Sequence, residues 1–207
     1  MTTKDDLAWT LSIQPYAVEQ VYNILWSGCE IKHLDDGIAG SLKTVLDVAG
    51  GDKLIKWPNG TVLFLGQRFR RYESYVKKNR EFDDFTLRYD RPRTGYKAEC
   101  FKAKEALQHN KLLAAYYGYG HVNKEENGFR RFRVIDFIKF LKYWEQGLLP
   151  KPDKIPNPDG SSTFLAWPFS KIPQECIIWQ KPPKKLSLSK FMDGNYNGTI
   201  SSQEEIG

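Results

Sequence analysis

Apolar residues recur with two periods, and these divide the chain into helical and extended segments. Val18, Val21, Tyr22, Leu25 and Trp26 keep the three-and-four spacing of one helical face that ends near Gly28. Asp5 or Asp6 can cap a first helix, and Pro15 is expected to divide that opening segment from the second. Gly37 to Val48 is mixed, its glycines arguing for a loop before Leu42, Val45 and Leu46. Lys53-Leu54-Ile55-Lys56 reads as a short strand and Trp57-Pro58-Asn59-Gly60 as a turn with the Asn-Gly signal. Residues 61–65 follow as a strand apolar on both faces, the pattern of a central, covered strand. A further strand is predicted over 85–89, closed by a turn at Pro92 and Gly95.

Helix formers dominate from Cys100 to about Ala115, and the aromatic, glycine-punctuated run 116–121 reads as a strand. Residues 129–136 form a strand after the Asn127-Gly128 turn, and Asp136 caps an amphipathic helix over 137–144 that stops at Gly147. A proline-rich loop over 150–160 precedes short strands at 163–167 and 176–179. After Pro182-Pro183 the composition turns to Ser, Gly and Asn. The prediction is one α/β (α+β) domain over residues 1–183, a mixed central β-sheet flanked by helices, with a loosely ordered tail over 184–207. At 207 residues the chain is long enough for one hydrophobic core.

Composition narrows the class. An apolar content of 41% excludes disorder of the whole chain. No apolar run is long enough to span a bilayer, and the polar start Met1-Thr2-Thr3-Lys4-Asp5-Asp6 is unlike a signal peptide, so a cytoplasmic protein with no membrane partner is expected. Cys29, Cys100 and Cys176 are far apart and lack the spacing of a zinc site, which favours reduced, structural thiols.

The formal charge of +6 favours a polyanionic partner, and its distribution sharpens that expectation. Arg68, Arg70, Arg71, Lys77, Lys78, Arg80, Arg88, Arg91 and Arg93 are interleaved with Tyr72, Tyr75, Phe82, Phe85 and Tyr89. Arginine clamps phosphate oxygens and aromatic rings stack on bases, so Arg70, Arg71, Tyr72, Lys77, Lys78 and Arg80 are candidate nucleic-acid contacts. The same alternation also describes an ordinary strand with its aromatics turned inward.

The hairpin itself carries candidate chemistry. Asp52 heads its first strand, and the second ends in Gly66-Gln67-Arg68 beside Phe69 and Arg70. An aspartate, a turn, and a buried strand ending in a carboxylate or amide and a basic residue resemble the core motif of the PD-(D/E)XK nuclease superfamily, in the variant where glutamine replaces the second acid. The resemblance is carried by residues 47–72. It implies a restriction-endonuclease-like domain and a restriction- or phage-type endonuclease. Asp52 and Gln67 would then hold Mg²⁺ or Mn²⁺, Arg68 would act beside them, and the protein would be a homodimer on double-stranded DNA. A catalytically degenerate relative that binds nucleic acid or acts in assembly is the alternative.

Two registers fit the motif. Arg68 takes the lysine position if Gly66 stands where a ligand belongs, whereas Gln67 as ligand puts Phe69 there. On a flat strand the two options lie on opposite faces, and a bulge at Gly66 would re-aim Gln67. Asp35, Asp36 and Asp47 are reserve ligands, and Glu19 and Glu30 are further carboxylates in or after the first helix.

Overall fold

The computed structural model describes residues 3–33, 51–77, 80–90, 98–157 and 160–182. Asp35, Asp36, Asp47, Lys78, the turn at Pro92 and Gly95, the side chain of Arg80 and the tail 184–207 lie outside the described residues.

Helix α1 (Thr3–Ala17) runs through a π turn (Val18–Tyr22) into α2 (Asn23–Leu25). Pro15 therefore lies inside a helix rather than dividing two. Its ring faces solvent, while Ile13, Ala17, Val21, Tyr22 and Trp26 are buried as one stripe, and that burial outweighs the missing N–H. Strands β1 (Glu30–His33), β2 (Lys53–Lys56) and β3 (Val62–Arg70) form an antiparallel meander. The β2–β3 turn is the expected one: Gly60 has φ +86° and Asn59 Oδ1 accepts from Thr61 N at 3.0 Å.

A short helix α3 (Tyr72–Tyr75) and a small hairpin of β4 (Val76–Lys77) and β5 (Arg80–Glu81) follow, then β6 (Asp84–Asp90) and helix α4 (Glu99–Gln108). The chain re-enters the first sheet as β7 (Tyr116–Val122), parallel to β3, and turns back as β8 (Phe129–Asp136). Helix α5 (Phe137–Glu145), β9 (Asp153–Pro156), β10 (Thr163–Pro168) and β11 (Ile177–Lys181) complete the order. Asp136 caps α5 as expected, accepting from Lys139 N at 2.9 Å.

The architecture is a mixed α+β domain. Six strands run in the order β1-β2-β3-β7-β8-β11, and β3 is central, as its two-faced apolarity predicts. Strands β6, β10 and β9 form a separate three-stranded sheet, so the predicted strand at 85–89 does not join the central one. The proline-rich loop contributes edge strand β9, all four of its residues exposed, ending at Pro156. Helix α4 stops at Gln108, earlier than expected, because Asn110 adopts φ +51° and reverses the chain.

Side-chain alternation sorts the core onto the two faces of the six-stranded sheet. Leu65 and Phe69 pack with Val122, Phe132, Val134 and the α1 stripe. Tyr117, Tyr119 and Ile135 pack on the other face with Phe85, Leu87, Leu165 and Trp167 of the second sheet and with α4 and α5. Close approach on the helical face requires glycine in β7. A Cβ at Gly120 would stand 2.6 Å from the Phe129 ring, and one at Gly118 would run into the Tyr22 hydroxyl and Phe132. Gly120→Ala should therefore cost about 1–3 kcal/mol of stability by overpacking. Urea unfolding of the variant measures this, and an unchanged midpoint would contradict the packing described.

Candidate functional site

Strand β3 passes Gly66 without a bulge. It stays in register with β2 from Lys53↔Leu65 to Lys56↔Val62, and with β7 from Leu65↔Tyr116 to Arg70↔His121. Gln67 and Arg68 consequently point to opposite faces. Gln67 lies on the helical side, where its Oε1 accepts from the Tyr22 hydroxyl at 3.4 Å and its buried Nε2 has no hydrogen-bond partner among the described residues. Arg68 lies on the face of the second sheet.

Asp52 sits one residue before β2. Its N–H donates to the Leu65 carbonyl at 2.8 Å, and its Oδ2 accepts from the Gln67 backbone N–H at 2.6 Å. The structure thus joins Asp52 to Gln67 through the main chain and not through the amide side chain. Burial raises the Asp52 carboxyl to about 7, opposed by the Gln67 N–H; the negative charge of Glu99 pushes further upward, while Arg68 and Lys53 pull downward.

Glu99 is the functional candidate that reading the sequence missed. It is the first residue of α4, and its carboxylate reaches down onto the Arg68 face. Its Oε2 accepts from Arg68 Nη2 at 2.6 Å and from the Arg88 backbone N–H at 3.1 Å, and its Oε1 accepts from the Tyr117 hydroxyl at 2.7 Å. Burial would raise this carboxyl, but Arg68 and the two further donors hold it below the usual range. Arg68 also donates to the Thr86 carbonyl at 2.8 Å, so both ends of its fork are held. Tyr117, the donor to Glu99 Oε1, pairs with Gly66 across β3 and β7. An acid at the start of a helix that follows the hairpin was the available sequence signal, but its reach across β7 is a tertiary fact.

The remaining candidates disperse. Arg70 donates to Asp84 at 2.8 Å and to the Ser74 carbonyl at 2.9 Å. Arg71 stacks over Trp9 at 4.0 Å and stands 3.6 Å from Asp6 and from Glu126. Tyr72 packs edge-on against Tyr75 with centroids 5.7 Å apart, and Lys77 is exposed. Arg130 and Arg131 pair with Glu81, and Arg133 with Asp83. Glu30 lies in β1 against Lys32 and Lys56, and Glu19 is exposed. Lys111 lies beyond the end of α4 and pairs with Glu105 at 2.8 Å. Among the described residues no three His, Cys, Asp or Glu side chains gather into a metal-binding group. No helix among them is long and apolar enough to cross a membrane.

Comparison with protein-family models, curated proteins and solved structures finds no match to this chain. The reading of the site therefore rests on its geometry.

The raised Asp52 carboxyl couples this site to stability. The folded state holds a proton that the unfolded chain releases near 3.8, so stability falls as pH rises from there through about 7. Asp52→Asn removes that cost and should be the more stable form at pH 8, by about 2–4 kcal/mol, with the difference shrinking toward pH 4. Urea unfolding of both chains across this range measures it; a difference that grows on acidification would reverse the assignment.

Proposed function

We propose that this chain is a divalent-metal-dependent DNA endonuclease of the PD-(D/E)XK kind, with Asp52 and Glu99 as its paired carboxylates. The observation that carries the reading is that Asp52, held by the Gln67 N–H, feels the charges of both Glu99 and Arg68, which are themselves ion-paired at 2.6 Å. Of the two motif registers, this favours Arg68 in the basic position, with the acid that Gly66 lacks supplied from α4. The mixed sheet with flanking helices is the fold such a motif needs.

The donor set suits Mg²⁺ or Mn²⁺. Two carboxylates provide hard oxygen ligands, and a cation would offset the charge that burial makes costly on Asp52. Such an ion would lower the pKa of water and neutralise charge on the phosphoryl oxygens. The Gln67 N–H orients the Asp52 carboxylate, and Tyr117 with the Arg88 N–H orients Glu99. Arg68 stays charged at every relevant pH, so its role is electrostatic stabilisation of the transition state rather than proton transfer. The substrate we propose is double-stranded DNA, cut by a homodimer that places one site on each strand.

A second reading is favoured by the donors already gathered on Glu99: a relative that has lost cleavage and binds nucleic acid. Plasmid nicking with Mg²⁺ or Mn²⁺ separates the two. The native chain should nick, and Asp52→Ala and Glu99→Gln should each lose about a hundredfold or more in rate. DNA binding without nicking would favour the second reading, and cleavage indifferent to both substitutions would remove this site from the chemistry.

A further inference from the structure

A second polar cluster lies on the same sheet face, at the other end of β7. Arg131 faces His121 and Arg133 faces Tyr119 across the β7–β8 ladder, so the two arginines and the histidine share one side. All three stand within 4 Å of one carboxylate, that of Asp83, just before β6, although the closer partner of Arg131 is Glu81 at 2.7 Å. Arg133 grips it with both terminal nitrogens, at 2.6 and 2.8 Å, while its guanidinium rests 4.1 Å from the centre of the Phe169 ring. The fit ends there. Arg131 Nη1 and His121 Nδ1 each stand 3.9 Å from Asp83 Oδ1, beyond hydrogen-bond reach.

His121 is fully buried, and neither of its ring nitrogens has a hydrogen-bond partner among the described residues. Burial, then Arg70, Arg133 and Arg131, push it down to about 2, so it stays neutral and carries one N–H donor. A buried donor left without an acceptor is costly, so this pocket holds more donors than its occupant satisfies.

A carboxylate presents two oxygens in one plane. A phosphoryl group presents a similar pair to a guanidinium fork and has further oxygens out of that plane. Standing in place of the Asp83 carboxylate, it would keep Arg133 satisfied and extend toward Arg131 and His121. We propose that Arg131, Arg133 and His121 form a phosphoryl-group binding site, which the Asp83 carboxylate plugs as an internal surrogate. The plug is displaceable: its side chain is 33% exposed, and the backbone on which it swings stays tied through the Phe169 N–H to the Asp83 carbonyl at 3.0 Å. Neighbouring charges favour the exchange. Among the described residues Arg70, Arg130, Arg131 and Arg133 pair with Glu81, Asp83 and Asp84, and withdrawal of Asp83 leaves a further positive charge for the incoming anion. The site stands apart from Asp52 and Glu99, and its test is independent of cleavage.

Titration of the full chain with inorganic phosphate, followed by the His121 ring resonances identified with His121→Gln, tests the proposal. The native chain should show a saturable shift, and Asp83→Asn should bind roughly tenfold tighter. Arg133→Gln should abolish binding. Arg131→Gln, at a more exposed position, should weaken it roughly fivefold and keeps the test open if Arg133→Gln does not fold. No saturable shift in the native chain or Asp83→Asn, no gain in Asp83→Asn, or native affinity in Arg131→Gln would each overturn the site. Oligonucleotides with a 5′-phosphate or a 5′-hydroxyl then identify the source. Preference for the phosphate marks a terminal group, equal binding marks the backbone, and failure of both to compete with inorganic phosphate would also overturn it.

Discussion

A guanidinium drawn largely out of water between two sheets must meet a carboxylate, because an uncompensated charge there is costly. Arg68 is that guanidinium, and Glu99 answers it at 2.6 Å. The pair decides more than its own neighbourhood. Donors from β3, β6 and β7 all end on Glu99, so α4 must begin there and β6 must lie over β3. With the two sheets so fixed, Phe85 of β6 enters an aromatic cluster with Tyr117, Tyr119, Phe140 and Trp167, with centroids 5.0 to 6.4 Å apart. Apolar burial supplies the bulk of the cohesion, and the ion pair supplies the alignment.

The basic character of the chain also reads differently in three dimensions. Arg70 of β3 and the arginines of β8 stand opposite acids from residues 81–84, Arg68 stands opposite Glu99, and much of the charge that suggests a polyanion partner is spent between layers. The interleaved aromatics divide: Tyr75 and Phe85 are fully buried, while Tyr72 and Tyr89 are only partly covered. A nucleic-acid surface on this face therefore depends on how readily the acids give way.

Local pattern made some elements legible and hid others for identifiable reasons. The β2–β3 hairpin was readable because an Asn-Gly turn and a short strand are properties of neighbouring residues, and Asp136 announced α5 in the same way. Pro15 misled because the cost of an imino acid in a helix is local, whereas the burial that offsets it comes from a sheet formed far along the chain. Asp52 was readable as the head of a strand. The facing of Gln67 was not, because it turns on whether Gly66 carries a bulge, and only the continuous registers with β2 and β7 decide that. Glu99 and Asp83 escaped for one common reason: their partners lie in distant strands, and no spacing rule connects them.

The parallel pairing of β3 with β7 has a consequence for the order of events during folding. Adjacent strands joined by a tight turn pair early, but β3 and β7 are neighbours only after everything between Arg70 and Tyr116 has been looped out, including β6 and the whole of α4. That excursion carries both Glu99 and Asp83. Closing so long a loop costs entropy before any contact repays it. The meander holding Asp52 and Arg68 can thus form while both acids are still far from their arginines, and the two charge clusters come into being only with the last large step of assembly.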